Sequence, residues 1–192
     1  MSRPTLSRTL TALALVGTLA ACGGTNDESV ASSPGSSPSA EASAAASSPP
    51  CPITATEVPA PAGASTDLKV KPVVKPTKTP PPAAVQYADH VKGDGAEAVT
   101  GSQVEVKYVG AFYDTGKEFD SSWSRGANET LPFGICQQGV IPGFAVGPTG
   151  MKVGGRRQII IPSELGYGAK GSPPAIPGGA TLVFVFDLMK VS

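Results

Sequence analysis

The sequence is short of the residues on which most covalent and metal-assisted chemistry depends. Its 192 residues include one histidine and three cysteines. A serine or cysteine nucleophile needs a base beside it, and the histidine, His90, has no acid-and-nucleophile setting around it. We therefore predict that His90 is a surface residue. No metal-ligand cluster is present in the sequence, and no metal or cofactor is predicted.

The sequence also lacks an excess of either charge, since its 15 basic residues balance its 15 acidic ones. Nucleic-acid-binding domains usually carry a basic excess or stripe, so no nucleic-acid partner is predicted. Aromatic residues make up only 6% of the chain. Nearly all of them lie in the second half, whereas the first half holds most of the Ala, Ser and Pro. Only the second half can therefore bury a sizeable core, and its length suits one modest domain.

The apolar run near the N-terminus is too short to span a membrane. It covers residues 10–21, which is 12 residues, whereas a spanning helix needs about 20. With two arginines before it, the run is typical of a secretory signal over residues 1–21. It ends Leu-Ala-Ala-Cys22, which resembles the lipobox of bacterial lipoproteins. The resemblance implies cleavage before Cys22, a lipid on its sulfur and an extracytoplasmic protein anchored to the bacterial cell membrane. An ordinary signal peptide followed by a chance cysteine is the alternative.

Residues 22–84 divide into two stretches. As far as about residue 50 they are Ser, Ala, Pro and Gly with a few acids, which predicts a disordered tether. Residues 51–84 are rich in proline, and residues 68–71 alternate apolar and charged like a short edge strand. This second stretch is either more linker or an arm that lies along the domain. We favour the arm because it begins at Cys51.

A folded domain is predicted for residues 85–192. The last apolar stretch, residues 181–189, is apolar on both faces except at Asp187 and is therefore predicted to be a central strand. One short helix is predicted within residues 140–150, where Pro142 suits the first turn and Gly147 weakens the end. Several short strands with one helix indicate an α+β domain dominated by an antiparallel sheet. Three cationic residues are predicted to form a solvated face where a strand begins: Lys152, Arg156 and Arg157.

Six blocks of this domain carry its most distinctive residue patterns. The blocks are Val106-Lys107-Tyr108-Val109-Gly110, Gly116-Lys117-Glu118-Phe119-Asp120-Ser121-Ser122, Val140-Ile141-Pro142-Gly143-Phe144, Gly150-Met151-Lys152-Val153-Gly154-Gly155-Arg156-Arg157, Leu165-Gly166-Tyr167-Gly168 and Ile176-Pro177 followed by Ala180-Thr181-Leu182-Val183-Phe184. In order and spacing these blocks resemble the FKBP family of peptidyl-prolyl cis-trans isomerases. The resemblance implies a twisted antiparallel β-sheet, a half-barrel, wrapped around one short α-helix. It also implies an apolar pocket between the helix and the sheet.

The resemblance assigns roles to individual residues of this pocket. It implies that Tyr167 and the backbone N–H of Ile141 donate hydrogen bonds to substrate carbonyls, and that Asp120 has an electrostatic and orienting role. By their patterns alone the aromatic residues would be core, and the ordered blocks favour pocket-lining positions instead. The catalytic residues it implies are Tyr108, Phe119, Asp120 and Tyr167. The substrate-binding residues it implies are Arg125, Phe133, Val140, Ile141, Phe144, Ile176 and Phe184.

Two positions depart from the family's pattern. The floor of the pocket, often Trp in the family, is Phe144 here, and Gly147-Pro148 stands where longer helix formers are common. Neither change removes a proton-transfer group. We therefore expect weaker or altered activity rather than none.

The cysteines favour a disulfide. If Cys22 carries a lipid, Cys51 and Cys136 remain, and outside the cytoplasm an even pair suggests a bridge between them. Such a bridge would fasten the arm to the domain. Two free thiols are the alternative.

Three functions are compatible with these observations. The first is a monomeric, lipid-anchored isomerase that assists the folding of secreted, proline-containing polypeptides, with macrolides of the tacrolimus and rapamycin type as further ligands. The second is a polypeptide-binding or chaperone module that uses the same pocket with weak catalysis. The third is an envelope scaffold. Turnover on a proline-containing peptide separates the first from the second.

Overall fold

Two long strands that pair along their whole length form the middle of the domain. The computed structural model describes residues 53–126 and 128–192, all of which belong to one compact unit of the chain. Short 3₁₀ turns cover Ser122–Ser124 and Ser163–Leu165. The strands and the helix, in chain order, are β1 (Thr56–Glu57), β2 (Gln86–Val91), β3 (Gln103–Phe112), β4 (Glu118–Ser121), β5 (Leu131–Gly134), α1 (Pro142–Val146), β6 (Arg156–Ile161) and β7 (Leu182–Val191).

The strands form one seven-stranded sheet in the order β1-β2-β6-β7-β3-β4, and β5 pairs with the other end of β3. β1 is parallel to β2, and the remaining pairs are antiparallel. The central position predicted for the last strand is confirmed, since β7 lies between β6 and β3. The predicted α+β architecture, an antiparallel sheet with one short helix, is confirmed as well. Within the described residues, no helix is long and apolar enough to cross a membrane.

Both faces of the central strands are buried, each against a different partner. On one face of the sheet, residues such as Val106, Tyr108 and Phe186 pack in the main core with Phe144 of α1. The other face has its own cluster, to which the arm contributes one residue. The buried members of this second cluster are Val74, Val109, Ala111, Tyr113, Val183 and Val185. The apolar character of both faces of β7 therefore results from a helix on one side and the arm on the other.

The helix α1 packs closely on the sheet because Gly143, and Gly147 at its C-terminal end, have no side chain at the contact. A Cβ atom on Gly143 would lie 2.3 Å from Cγ2 of Ile161, and one on Gly147 would lie 2.5 Å from Cε2 of Phe186. These glycines are four residues apart and so share one face of the helix. Pro142 occupies the first turn, as expected. The helix has five residues, so the prediction that it is short is confirmed.

The described part of the arm, residues 53–84, lies against the sheet. Its β1 extends the sheet beyond β2, and the backbone N–H of Thr77 donates to the carbonyl of Tyr113 at 3.0 Å. The edge strand predicted for residues 68–71 is wrong, because this stretch forms a turn. The Asp67 carboxylate accepts the N–H of Lys69 at 2.8 Å, which favours a turn over an extended strand.

The prediction of a solvated cationic face is wrong for Arg156 and Arg157, which are only 0% and 4% exposed. Arg156 donates two hydrogen bonds to the carboxylate of Asp187 on β7. The rest of its guanidinium donates to the arm: to the hydroxyl of Ser65 at 2.9 Å, to the carbonyl of Asp67 at 2.9 Å and to that of Val70 at 3.1 Å. The arm thus supplies the partners that a buried guanidinium needs.

Arg157 joins β2 and β6 to the segment that follows α1. It donates to the carboxylate of Asp89 at 2.6 and 3.1 Å and stacks over the ring of Tyr87, 4.0 Å from the ring centroid. It also donates to the carbonyl of Gly147 at 3.1 Å and that of Thr149 at 2.7 Å. These carbonyls lie where a helix leaves its acceptors unpaired, so Arg157 caps the short helix and fixes its position.

His90 is not the surface residue that the sequence predicted. Both of its ring nitrogens are buried, and neither makes a hydrogen bond of normal geometry among the described residues, although the backbone of Ser65 is close enough for a weak one. Burial lowers the pKa of His90, and the charge of Arg156 lowers it further, against smaller opposing effects of Asp89 and the backbone at Ser65. The imidazole is therefore neutral at pH 7.

The signal segment, Cys22, the tether and Cys51 all lie outside the described residues. Their predicted roles, and the boundaries of the domain, stay predictions.

We expect the substitution Arg156→Ala to lower the free energy of unfolding by about 3–5 kcal/mol, because it leaves the Asp187 carboxylate buried without its partner. Urea denaturation measures this. The control is Lys190→Ala, which removes a pair to Glu105 from a lysine whose side chain is 62% exposed and should cost about 1 kcal/mol or less. Equal effects of the two substitutions would contradict a structural role for the buried pair.

We expect the stability of the protein to fall as the pH drops through 6.5 and below. A histidine whose folded pKa is depressed binds protons more readily when unfolded, so the free energy of unfolding rises with pH over this window. The measurement is urea denaturation at several pH values between about 5 and 7.5, around the ordinary histidine pKa. In His90→Leu the slope should be shallower. An unchanged slope in that variant would show that other groups control the pH dependence.

Candidate functional site

A cleft of about 400 Å³ opens between α1, the β3–β4 pair and the loop that follows β6. It is mostly aromatic and aliphatic, with a carboxylate and phenol hydroxyls among its polar groups. The residues that line it are Tyr108, Phe119, Asp120, Leu131, Gly139, Val140, Ile141, Phe144, Tyr167 and Phe184. Its size and composition are typical of a small-ligand site.

The floor of the cleft is the ring of Phe144, packed among other rings. Its centroid lies 5.7 Å from that of Tyr108, 4.9 Å from that of Phe184 and 4.6 Å from that of Phe186, all in edge-to-face contacts. The ring of Phe133 lies beneath, at 5.0 Å. Edge-to-face geometry is the favourable one for aromatic pairs. A phenylalanine therefore forms a complete floor at the position where the family often has tryptophan.

One wall of the cleft depends on a glycine in β3. A Cβ atom on Gly110 would lie 2.7 Å from Cε1 of Phe184 and 2.9 Å from Cζ of Phe119. The missing side chain lets these two rings meet edge to face, with centroids 5.6 Å apart. Gly110 thus shapes the cleft without lining it.

A polar triad stands at one edge of the cleft. The Tyr108 hydroxyl donates to one carboxylate oxygen of Asp120 at 2.5 Å. Arg125 donates to the other oxygen at 2.7 Å and to the Tyr108 hydroxyl at 2.9 Å. The backbone of Tyr108 is fixed in turn, because its N–H donates to the hydroxyl of Ser122 at 2.9 Å and its carbonyl accepts from Ser121.

The triad keeps one protonation state over a wide range of pH. Burial alone would raise the pKa of Asp120, but hydrogen bonds from Tyr108, Arg125 and the Ser121 N–H outweigh it and lower that pKa. The pKa of Tyr108 is raised, first by burial and then by its hydrogen bond to Asp120. Since ordinary values are about 4 for Asp and about 10 for Tyr, Asp120 stays ionised and Tyr108 protonated near neutral pH. The carboxylate is an acceptor already engaged by three donors, which suits orientation rather than proton transfer.

Two donors at the rim of the cleft are available to a ligand. The hydroxyl of Tyr167 and the backbone N–H of Ile141 make no hydrogen bond within the described part of the chain. Tyr167 is 38% exposed, and burial raises the pKa of its hydroxyl, which Asp120 raises further. The Tyr167 phenol is therefore protonated and able to donate.

The structure brings most of the predicted site residues together. Three residues lie elsewhere: Phe133 is buried under the floor, Arg125 is in the triad outside the lining, and Ile176 lines a neighbouring groove. The sequence reasoning missed Leu131 and Gly139. Leu131 is the apolar first residue of β5 and pairs with Val106. Its apolar character at a strand position is the one feature of the sequence that could have indicated a place in the cleft. Eight of the predicted residues line the cleft: Tyr108, Phe119, Asp120, Val140, Ile141, Phe144, Tyr167 and Phe184.

Cys136 lies just before the cleft wall and is disulfide-bonded. The alternative of free thiols therefore does not apply to Cys136. Its backbone has a positive φ of 61°, and its N–H donates to the carbonyl of Ala145 in α1 at 3.1 Å. The partner cysteine lies outside the described residues, so the pairing with Cys51 stays a prediction.

The family is decided by comparison with known proteins. A family model described as FKBP-type peptidyl-prolyl cis-trans isomerase matches residues 95–189. A probable FK506-binding protein of Corynebacterium glutamicum is 46% identical over 119 residues, which cover 62% of this chain and 97% of that protein. The chain belongs to the FKBP-type peptidyl-prolyl cis-trans isomerase family.

Further relatives agree with this membership. An FK506-binding protein of Streptomyces anulatus is 47% identical over 112 residues, 58% of this chain and 89% of that protein. Among solved structures, AtFKBP13 matches with a TM-score of 0.52 at 34% identity, covering 58% of this chain and 96% of that one. FkpA from Escherichia coli matches with a TM-score of 0.51 at 38% identity, covering 62% and 52%. The resemblance seen in the six sequence blocks is confirmed, and this FKBP-type protein is a peptidyl-prolyl cis-trans isomerase.

Proposed function

We propose that this isomerase acts on proline-containing segments of secreted and envelope polypeptides, and that the aromatic cleft is its active site. The observation that carries the proposal is the arrangement of the cleft, with an aromatic floor and two free donors at its rim. Prolyl isomerisation takes tens to hundreds of seconds without a catalyst, so an isomerase is useful where exported chains fold.

The cleft is suited to a mechanism in which its apolar surroundings, and not a reactive side chain, lower the barrier to rotation. Rotation about a prolyl bond has a barrier of about 18–20 kcal/mol, which comes from amide resonance. The twisted amide has lost that resonance and part of its carbonyl dipole, so an apolar site penalises it less than it penalises the planar form. Phe119, Phe144 and Phe184 provide the apolar surface on which a pyrrolidine ring packs. No bond of the substrate is cleaved and no proton is exchanged.

The polar groups orient the substrate. Tyr167 and the Ile141 N–H donate to the carbonyls on either side of the twisted bond. The ionised Asp120 with Tyr108 fixes one wall of the cleft and sets its electrostatic potential. FK506-type macrolides, which the names of the relatives mention, are proposed as competing ligands of the same cleft.

We also propose that the protein works as a monomer outside the cytoplasm, anchored through a lipid on Cys22. The lipobox-like sequence at residues 19–22 supports the anchor. The disulfide at Cys136 supports an oxidising compartment, since such bonds are rare in the cytosol.

We expect the full chain to accelerate isomerisation of a short Xaa-Pro peptide. The substitutions Phe119→Ala and Tyr167→Phe should each lower kcat/KM about tenfold or more, equivalent to about 1.4 kcal/mol of lost transition-state stabilisation. Met189→Ala, at an exposed position of β7, is the control and should leave kcat/KM unchanged. A well-folded wild-type protein without turnover would favour the non-catalytic binding module.

We expect Cys22→Ala to move the protein from the membrane fraction to the soluble fraction of bacterial cells, because the lipid has lost its attachment atom. Cell fractionation and the mass of the mature N-terminal peptide measure this. Equal membrane association of wild type and variant, or an unmodified Cys22 in the wild type, would refute the anchor. The turnover of the domain on a short peptide should be unaffected by this substitution.

A further inference from the structure

A second, larger groove of about 880 Å³ lies beside the cleft, between the arm and the loop that precedes β7. The arm contributes residues 77–79 and Pro81, and the loop contributes residues 173–181. The β3–β4 turn forms the third side, with Tyr113 and Asp114 among its residues. No part of the proposed isomerase mechanism uses this groove.

The groove adjoins the cleft through one aromatic contact. Phe112 lines the groove, and its ring centroid lies 5.2 Å from that of Phe119, which lines the cleft. Ile176, which the family resemblance placed among the substrate-binding residues, also lines the groove rather than the cleft. The contact between Phe112 and Phe119 therefore joins the linings of the two sites.

The walls of the groove are preorganised. On the arm side, the Thr77 N–H donates to the carbonyl of Tyr113, and the hydroxyl of Thr79 lies 2.9 Å from that of Tyr113. On the loop side, Ser172 and Ile176 exchange two backbone hydrogen bonds, at 2.8 and 2.9 Å. Binding in such a groove loses little conformational entropy from the protein.

The chemistry of the walls fits an extended polypeptide. Prolines contribute carbonyl acceptors and apolar rings but no N–H, and four of them line the groove: Pro81, Pro173, Pro174 and Pro177. The matching ligand has backbone N–H donors and apolar side chains. The charges around the groove are of both signs, from Lys78, Asp114 and Lys117, which gives no preference for a highly charged ligand.

We propose that this groove binds the stretch of client polypeptide that continues from the prolyl bond held in the cleft. The client thus binds at two adjacent sites. The cleft isomerises the prolyl bond, and the groove holds the neighbouring residues of the same chain. This inference rests on the proposed function, because the occupant of the groove is the same chain that occupies the cleft.

The test compares the affinities of the full chain for labelled peptides by fluorescence anisotropy. One peptide is a tetrapeptide with a single Xaa-Pro bond, and two others extend it by six uncharged residues, one on the N-terminal side and one on the C-terminal side. We expect one extension to tighten binding about tenfold, which corresponds to about 1.4 kcal/mol. In Pro81→Trp, whose indole fills the groove from the arm, that gain should disappear while affinity for the tetrapeptide is unchanged.

The matched control is Val73→Trp, which adds the same indole to the arm at an 83% exposed position that does not line the groove. The control should keep the gain. The proposal is overturned if neither extension tightens binding, if the gain survives in Pro81→Trp, or if Pro81→Trp changes only self-association, which would make a second copy the occupant. Turnover on the tetrapeptide is measured in parallel. Absent turnover refutes the proposed function, whereas a missing extension gain with normal turnover refutes the groove alone.

Discussion

The buried pair between Arg156 and Asp187 is the interaction on which most of this structure depends. A charge out of contact with water is costly unless its hydrogen bonds are satisfied. Asp187 satisfies one side of the guanidinium, and the backbone and hydroxyl groups of residues 65–70 satisfy the rest. The described part of the arm is therefore held against the sheet, because without it two strands would hold an incompletely bonded cation. His90, close to the same arginine, adds a pH-dependent term to this arrangement.

The two faces of the sheet are covered by different elements, the arm on one face and α1 on the other. The arm covers the second face of β3 and β7, where its Val74 joins the smaller core cluster. On the opposite face, α1 is held at short distance by Gly143 and Gly147, and Arg157 binds the carbonyls that follow it. A helix of only five residues is marginal by itself, so its place depends on this packing. The floor of the cleft is consequently fixed by packing on several sides, although it lacks the larger indole.

In the proposed mechanism, catalysis derives from the shape and polarity of the cleft rather than from a reactive group. In that mechanism the aromatic rings exclude water from the place where the amide twists. The hydrogen bonds from Tyr108 and Arg125 keep Asp120 ionised and occupied. The groove beside the cleft has a different chemistry, with proline rings and carbonyl acceptors. The two sites adjoin where the rings of Phe112 and Phe119 meet, which is why we propose that a longer substrate binds at both.

The sequence by itself determined the family, the antiparallel sheet, the short helix and most of the cleft. The apolar run of β7 and the six ordered blocks are local features, and local features are what a sequence displays. Tertiary structure alone decided that Arg156 and Arg157 are buried, and that Ile176 packs in the main core and lines the groove. A sequence pattern cannot predict whether an arginine is buried, because a buried arginine and a solvated one have the same side chain. What separates them is the set of partners that the fold brings from residues about 90 positions away.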